Sequence, residues 1–514
     1  MTQRTPGDSS PEHQPLRSDA PAVLAEPSVN QPRFRREHDL LGERDVPAQA
    51  YYGIHTLRAV ENFNITGTSI SIYPQLVVAL ACVKQAAALA NNGLGLLDDE
   101  RTRAIVRACE EIREGDLLEQ FVVDVIQGGA GTSTNMNANE VIANRALELL
   151  GYAKGEYVHL HPLEHVNMSQ STNDVYPTAV KLALQLGIRG LVEAMGELRQ
   201  SFEDKAHEFA DVLKIGRTQL QDAVPMTLGQ EFSTFAVMLG EDEQRLGEAA
   251  LLIAEINLGA TAIGTGITAH PDYAALVCRH LSEITGLRLI TAPNLVEATQ
   301  DAGAFVQLSG VLKRVAVKLS KTCNDLRLLS SGPRAGLGEI NLPPVQAGSS
   351  IMPGKVNPVI PEVVNQIAFE AIGNDITVTF AAEGGQLQLN AFEPIIAHSL
   401  FKTLAHLRNG CLTLAERCVR GITANRERLR RTVENSIGIV TALNPLIGYS
   451  SATELAREAL ATGKSVYDLV LEKRLMTREE LDEFLRPDRL VHPTLNLPHT
   501  DKGTGEGKDI APPI

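Results

Sequence analysis

The sequence predicts a mainly α-helical protein built around a bundle of long helices. Two long stretches, residues 184–209 and 308–329, carry apolar residues at alternating spacings of three and four. This spacing places one apolar seam along a long helix, as in bundles. Aromatic residues make up only 4% of the chain and Trp is absent, so Ala, Leu, Val and Ile must fill the core. That composition suits packed helices better than a β-sandwich.

Length and local composition divide the chain. A chain of 514 residues favours two or three domains. We expect an N-terminal domain at 37–173, a central long-helix domain at 174–428 and a small helical C-terminal domain at 429–498. Thr477 and Glu480 form a capping-box pattern in the last of these. Residues 1–36 and 499–514 are polar, rich in Pro or Gly and without periodicity, which predicts disordered tails.

Charge and cysteine usage limit the classes of partner and compartment. The net charge of −15 argues against nucleic acid and anionic membranes as partners. The strongest apolar run, residues 76–83, stops at Lys84, well short of the roughly 20 residues that span a bilayer. The six cysteines are scattered without CxxC spacing. Together with an N-terminus that lacks a secretory signal pattern, they predict free thiols and a cytoplasmic location.

Four polar segments stand out against the helical background, each where a loop meets a predicted helix start. Ser, Thr and Asn at such positions offer hydroxyl, amide and backbone donors beside the positive end of the helix dipole, which suits carboxylate binding. Ordinary capping would explain any one segment equally well, but four together favour a binding site. The segments are GGAGTSTNMNANEV (128–141), SQSTNDVYPT (169–178), GRTQLQDAVPMTLGQEF (216–232) and GSSIMPGKVNPVIPEVVNQ (348–366).

Local patterns in these segments give specific structural predictions. Pro177 and Pro361 fit first-turn positions of helices, and Thr227 with Gln230 predicts a helix cap. A further helix is expected to begin near residues 358–362. Gly348 and Gly354 bound the fourth segment, which predicts a mobile loop that can approach a ligand closely.

Two competing kinds of site find little support in the sequence. A phosphate-binding loop requires Ser or Thr after its Lys, whereas Lys355 is followed by Val356. His161 and His165 could form a two-His metal site, but no carboxylate or Cys partner lies at ligand spacing, which favours structural roles. We therefore predict no metal site.

The four segments resemble the signature regions of the fumarase/aspartase superfamily, most closely in GSSIMPGKVNP. The resemblance extends to AYYGIHTLRAVENF (50–63) and LLSSGPRAGLGEINLP (328–343), and it covers about residues 37–495. It implies a three-domain fold with a central bundle of long helices. It also implies a homotetramer in which each active site draws the first segment, the second or third, and the fourth from different subunits.

The resemblance also implies a chemistry. Members remove a proton from the carbon beside a carboxylate, so an aci-carboxylate forms and must be stabilised by donors. Ser349 resembles the base, acting as an alkoxide; Lys355 and local backbone N–H groups are candidates for stabilising that anion. Donors to the charge-accepting carboxylate would be Thr132, Ser171, Thr172 and the Ser350 backbone. Lys355, Asn357 and Thr218 would hold the other carboxylate, and Asn173 would contact the departing amino group.

Position 219 bears on the small-molecule substrate. Fumarases and some ammonia-lyases carry His after the Thr of this motif, whereas Gln219 can only hydrogen-bond. With SQSTND and QDAVP, Gln219 favours an ammonia-lyase that converts L-aspartate to fumarate. A fumarase-type hydratase acting on malate is the closest alternative, and a non-catalytic scaffold is the alternative from another class. The resemblance implies no required cofactor, although Mg²⁺ could act as an activator.

Overall fold

The structure is a computed structural model that describes residues 33–486 and 490–491. Most of the predicted tails, residues 1–32 and 499–514, lies outside the described residues. The first strand, β1 (Phe34–Asp39), pairs antiparallel with β2 (Gly42–Pro47). The predicted N-terminal tail was therefore too long by its last residues. The strand is charged rather than alternating, and Arg35 anchors it by donating to the carbonyls of Ala50 at 2.7 Å and Tyr52 at 2.6 Å.

Four α-helices build the N-terminal part of the fold. They are α1 (Ile54–Asn62), α2 (Pro74–Gly93), α3 (Asp99–Glu114) and α4 (Thr132–Leu149). By length and composition α2 could cross a membrane, but 78% of its most apolar window is buried inside the protein. It therefore has the character of a core helix, packed chiefly against its helical neighbours.

Long helices form the centre of the molecule and confirm the mainly α prediction. The central helices are α5 (Thr172–Glu208), α6 (Leu228–Ile253), α7 (Tyr273–Thr285), α8 (Leu295–Gln300), α9 (Gly303–Leu329), α10 (Val359–Glu383) and α11 (Glu393–Arg417). The predicted apolar seams lie on α5 and α9, and nearly all of their members are buried.

Side-chain contacts fix the directions of the bundle helices. Arg199 pairs with Glu243 and Gln185 donates to the Ala250 carbonyl, so α5 and α6 run antiparallel. Further along, α6 runs antiparallel to α9, and α9 to α10. A buried carboxylate joins each of those pairs: Asp242 lies 3.1 Å from Lys318, and Asp375 lies 2.6 Å from the more exposed Lys313.

Short two-stranded sheets connect the helices. The hairpin of β3 (Leu213–Thr218) and β4 (Gln221–Thr227) joins α5 to α6. The parallel pair β5 (Glu255–Ile256) and β6 (Ile290–Thr291) lies at the opposite end of the bundle, after α6. The antiparallel pair β7 (Ile340–Asn341) and β8 (Thr423–Ala424) ties the segment after α9 to the segment after α11.

The C-terminal helices pack around a hydrophobic cluster of their own. They are α12 (Arg426–Asn435), α13 (Ile439–Ile447), α14 (Tyr449–Thr462), α15 (Val466–Glu472) and α16 (Arg478–Phe484). Leu455, Leu469 and Leu481 are fully buried in this cluster, and Ile215 of β3 joins it. The hairpin therefore packs against the C-terminal helices as well as the bundle.

Most of the predicted helix starts are confirmed. Thr227 with Gln230 and Thr477 with Glu480 form capping boxes. Helix α10 begins at Val359, which places Pro361 in its first turn.

The prediction for Pro177 is wrong, because α5 begins at Thr172 and Pro177 falls in its second turn. Proline has no N–H for the carbonyl four residues back. That carbonyl, of Asn173, instead accepts from the Asn257 side chain at 3.0 Å.

Candidate active site

Ser349 lies in the loop between β7 and α10, where its hydroxyl meets backbone donors. Its Oγ accepts from the N–H groups of Ile351 at 3.2 Å and Met352 at 3.0 Å. Donors aimed at an oxygen favour its deprotonated form. From the sequence, backbone N–H groups were candidates for stabilising a Ser349 anion. Two such groups lie within hydrogen-bonding distance of the Ser349 oxygen. Lys355 is exposed on the same loop.

The loop that carries Ser349 closes on itself. Gly348 N–H donates to the Lys355 carbonyl at 2.7 Å, and the Asn357 amide donates to the Gly348 carbonyl at 2.9 Å. Gly354 adopts φ 80°, a left-handed conformation that glycine accepts readily. These bonds shape the loop internally, so Ser349, Ser350, Lys355 and Asn357 belong to one unit.

Thr218 and Gln219 lie at the tip of the β3–β4 hairpin and are exposed. Thr218 pairs with Gln221, so Gln219 and Leu220 form a two-residue turn with φ 52° and 63°. Positive φ at both central residues is the geometry of a type I′ turn. The Gln219 side chain is therefore exposed at the tip of the hairpin.

Thr132 begins α4 after a glycine-rich turn. Its Oγ1 donates to the Gly129 carbonyl at 2.7 Å, and the residue is exposed. Gly131 has φ 89°, and a Cβ there would lie 2.3 Å from the Tyr176 ring. Only glycine fits this approach, which sets where the first turn of α4 stands against α5.

Ser171, Thr172 and Asn173 open α5 and are held by a dense polar network. Ser171 Oγ accepts from Asn173 N–H at 3.2 Å, and Asp174 Oδ1 accepts from Ser171 N–H at 3.0 Å. Thr172 Oγ1 accepts from the Asn135 amide at 3.0 Å, which leaves the Thr172 proton available to another acceptor. Asn173 Nδ2 donates to the Ala262 carbonyl at 2.7 Å, so its Oδ1 is left as an acceptor.

A buried lysine lies beneath this helix start. Lys84 Nζ donates to the side-chain oxygens of Asn167 and Gln170, both at 2.9 Å. Burial lowers the pKa of Lys84 to about 7 and raises the pKa of Asp174 to about 6. In the sequence, Lys84 marks the end of an apolar run. A charged residue at that place, on a helix with so apolar a composition, was the available signal for a buried polar network.

The structure brings one further segment to the site, residues 257–266, which was not among the four predicted from the sequence. Asp174 Oδ2 accepts from Gly259 N–H at 3.1 Å and Thr261 N–H at 2.9 Å. The same segment supplies the Ala262 carbonyl that orients Asn173. Its sequence, NLGATAIGTG, is rich in Gly and Thr, and that pattern could have marked it as a fifth candidate.

His161 and His165 lie at a π-helical turn, Pro162–Val166, and serve the local backbone. His161 Nδ1 accepts from Leu163 N–H at 3.1 Å and Glu164 N–H at 3.3 Å, and His165 Nδ1 accepts from His161 N–H at 2.8 Å. Among residues 33–486, no group of three or more His, Cys, Asp or Glu side chains is arranged to hold a metal ion. All six cysteines are buried and unpaired, as their scattered spacing predicted.

The candidate residues fall into two sets at opposite ends of the bundle. Helix α6 begins after the hairpin and ends next to β5, beside Asn257 and Asn173. Its 26 residues span about 39 Å at ~1.5 Å per residue. The loop lies at the hairpin end, because the first turns of α10 contact the last turns of α9. One set is Thr132, Ser171, Thr172 and Asn173; the other is Thr218, Gln219, Ser349, Ser350, Lys355 and Asn357.

Comparison with known proteins places this geometry in a family. A model of the lyase family matches residues 42–373, and a model of the fumarase C C-terminus matches residues 439–492. The chain is 61% identical to an aspartate ammonia-lyase of Pseudomonas fluorescens over 90% of this chain and 97% of the relative. It is 55% identical to that of Escherichia coli K12 over 90% and 96%.

Solved structures agree with this assignment. A fumarate lyase:delta crystallin from Brucella melitensis bound to cobalt superposes with a TM-score of 0.87 at 58% identity, covering 90% of this chain and 100% of the other. A class II fumarase from Schistosoma mansoni gives 0.84 at 36% identity, covering 88% and 98%. The chain therefore belongs to the lyase family, in the aspartate ammonia-lyase branch of the fumarase/aspartase superfamily.

Proposed function

We propose that this chain catalyses the reversible deamination of L-aspartate to fumarate and ammonia. The observation that carries the proposal is the Ser349 hydroxyl with the Ile351 and Met352 N–H groups directed at it. A serine that must act as a base needs stabilisation of its anion, and these donors supply it. The high sequence identity to aspartate ammonia-lyases supports L-aspartate as the substrate.

In the proposed mechanism Ser349 Oγ, as the alkoxide, takes a proton from the carbon beside one substrate carboxylate. The electron pair moves onto that carboxylate and gives the aci-carboxylate. Its return forms the carbon–carbon double bond and expels the amino group as ammonia. Ser171, Thr172 and the Ser350 backbone donate to the charge-accepting carboxylate, and Thr132 joins them when its hydroxyl turns away from the Gly129 carbonyl. The free Thr172 proton, left by the Asn135 contact, fits that role.

The remaining contacts set the orientation of the substrate. Lys355, Asn357 and Thr218 bind the second carboxylate, with Gln219 beside them as a hydrogen-bonding partner. Asn173 faces the amino group: its Nδ2 is engaged by the Ala262 carbonyl, so its Oδ1 accepts from the substrate ammonium. An acceptor held in place suits an ammonium, which can only donate.

The separation of the two residue sets supports a homotetramer with shared active sites. Residues about 39 Å apart along α6 meet around one small substrate only when different subunits supply them. The bundle helices also expose large apolar side chains, including Val237, Val317, Phe369, Ile376 and Phe380. Such a surface is typical of a subunit interface.

The proposal includes the cellular setting. The enzyme acts in the cytoplasm on a small molecule, without nucleic acid, a membrane or an organic cofactor, and Mg²⁺ is a candidate activator. Free cysteines and acidic charge support this setting.

The test is fumarate formation, followed by ultraviolet absorbance, from purified protein given L-aspartate or L-malate in parallel. Fumarate from aspartate alone is the expected result. Fumarate from malate alone would make the protein a hydratase and refute the proposal. Product from neither substrate would also refute it and would direct the search to larger succinyl substrates.

A further inference from the structure

A buried charge cluster joins the hairpin of Thr218 to the stem of the Ser349 loop. We call Lys214, Arg217, Glu231 and Glu339 the Glu339 cluster. Glu339 Oε1 accepts from Arg217 at 2.5 Å, and Glu339 Oε2 lies 2.7 Å from Lys214 Nζ. Lys214 also donates to Glu231 at 2.5 Å. Lys214 is 1% exposed and Glu339 3%, so the charges act on each other with little solvent screening.

An irregularity in the pairing of β3 with β4 lies within this cluster. Residues separated by an odd number along a regular strand point to opposite faces. Lys214 and Arg217 nonetheless reach the same carboxylate, one on each side of a register shift: Ile215 pairs with Pro225, but Arg217 pairs with Asp222. The extra residue lies on β4, and such a bulge increases the local twist of the strand pair. Gly216 occupies the shift, where a Cβ would come within 3.1 Å of Met226 Sδ.

The backbone of Glu339 fixes the other side of the connection. Its N–H donates to the Leu329 carbonyl at the end of α9, and its carbonyl accepts from Asn425 N–H, both at 2.9 Å. Strand β7 follows directly, and the Ser349 loop follows β7. Glu339 therefore lies at the anchored stem of the loop, next to β7, and its carboxylate contacts two side chains of the strand that ends in Thr218.

We infer that Glu339 is a positioning residue, which sets the Thr218–Gln219 tip and the Ser349 loop as one unit on the end of the bundle. It touches no substrate and acts through Lys214 and Arg217. This inference deepens the proposed function and rests on it for its catalytic consequence. In active sites shared between subunits, the Glu339 cluster of each chain positions the Thr218–Gln219 tip and the Ser349 loop that this chain contributes.

The test compares Glu339→Gln with Glu231→Gln in the full-length enzyme. Both changes remove one carboxylate from Lys214, but only the first releases Arg217 and the loop stem. Because small misplacements of catalytic groups are costly, we expect Glu339→Gln to lower kcat/KM for L-aspartate by about 10- to 100-fold. Glu231→Gln should stay within about 3-fold of wild type. Wild-type kinetics for Glu339→Gln, or equal losses in both variants, would overturn the inference.

Hydrogen exchange gives a second readout that does not depend on activity. In Glu339→Gln, amides of residues 213–227 and 340–358 should exchange at least about 10-fold faster, with the bundle helices unchanged. Glu231→Gln should leave the loop unchanged. Uniformly faster exchange would mean a general loss of stability and would refute positioning.

If Glu339→Gln does not fold, the variant Arg217→Met replaces it, because Arg217 is less buried, and the expected results are the same. If the wild-type enzyme does not act on aspartate, the proposed function is refuted. Hydrogen exchange then still tests whether Glu339 positions the hairpin tip and the Ser349 loop.

Discussion

At the scale of single residues, the Ser349 hydroxyl oxygen accepts hydrogen bonds from two backbone N–H groups. We expect Ser349→Ala to lower kcat by at least about 10²- to 10⁴-fold, the usual contribution of a general base. Aspartate binding and the oligomeric state should remain, because the side chain is small and lies in an exposed loop. Steady-state kinetics, calorimetry with aspartate and light scattering measure these quantities.

Ser350→Ala is the matched control for that experiment. Ser350 is exposed and adjacent, and only its backbone has a proposed role, so the variant should keep activity within about 3-fold of wild type. A large loss in Ser350→Ala, or turnover left in Ser349→Ala, would contradict the assignment of the base.

Lys84 gives a residue-scale prediction for pH. Burial lowers its pKa from 10.5 to about 7, so between these values the unfolded state keeps a proton that the folded state has lost. The contribution of Lys84 to the free energy of unfolding therefore rises with pH across that window, by up to about 1.4 kcal/mol per pH unit. Denaturant unfolding of wild type and Lys84→Met should show wild type gaining relative stability from pH 7 to 10. A constant difference would mean that Lys84 stays charged in the fold.

At the scale of elements, periodicity predicted the long helices well, while local chemistry decided the details. The seams of α5 and α9 were visible because burial repeats every turn. The limits of β1 were missed, since Arg35 holds that strand through carbonyls far along the chain. The second-turn position of Pro177 was missed for a similar reason, because Asn257 supplies the donor that proline lacks. Contacts between distant segments leave no local pattern.

The start of α4 offers an element-scale prediction. Gly131→Ala should destabilise the fold by well over ~1 kcal/mol, since strain at positive φ adds to a Cβ only 2.3 Å from the Tyr176 ring. Displacing Thr132 should also reduce kcat/KM. Gly151 has nearly the same φ, 88°, with nothing within 4 Å, so Gly151→Ala should cost only about 1 kcal/mol and no activity. Equal unfolding free energies for the two variants would contradict this account.

At the scale of the whole molecule, the sequence located the polar segments but did not show which of them meet. Ser171–Asn173 and Thr132 come together through Asn135, whereas the hairpin and the loop stand at the other end of the bundle. That division follows from helix length and direction, which depend on how the elements pack. One chain therefore carries every candidate residue, in two sets that stand at opposite ends of the bundle, as the proposal of shared sites requires.

Mixing two inactive variants tests this division directly. Ser349→Ala disables one end of each chain and Asn173→Ala the other, so each variant alone should be nearly inactive. Co-expressed subunits should regain activity up to about a quarter of wild type, because a shared site is intact whenever each of two subunits supplies its unmutated end. The measurement is kcat of the purified mixture, with the separately purified variants combined without subunit exchange as the control. Activity no greater than that control would show that each site is built within one chain, against the shared-site proposal.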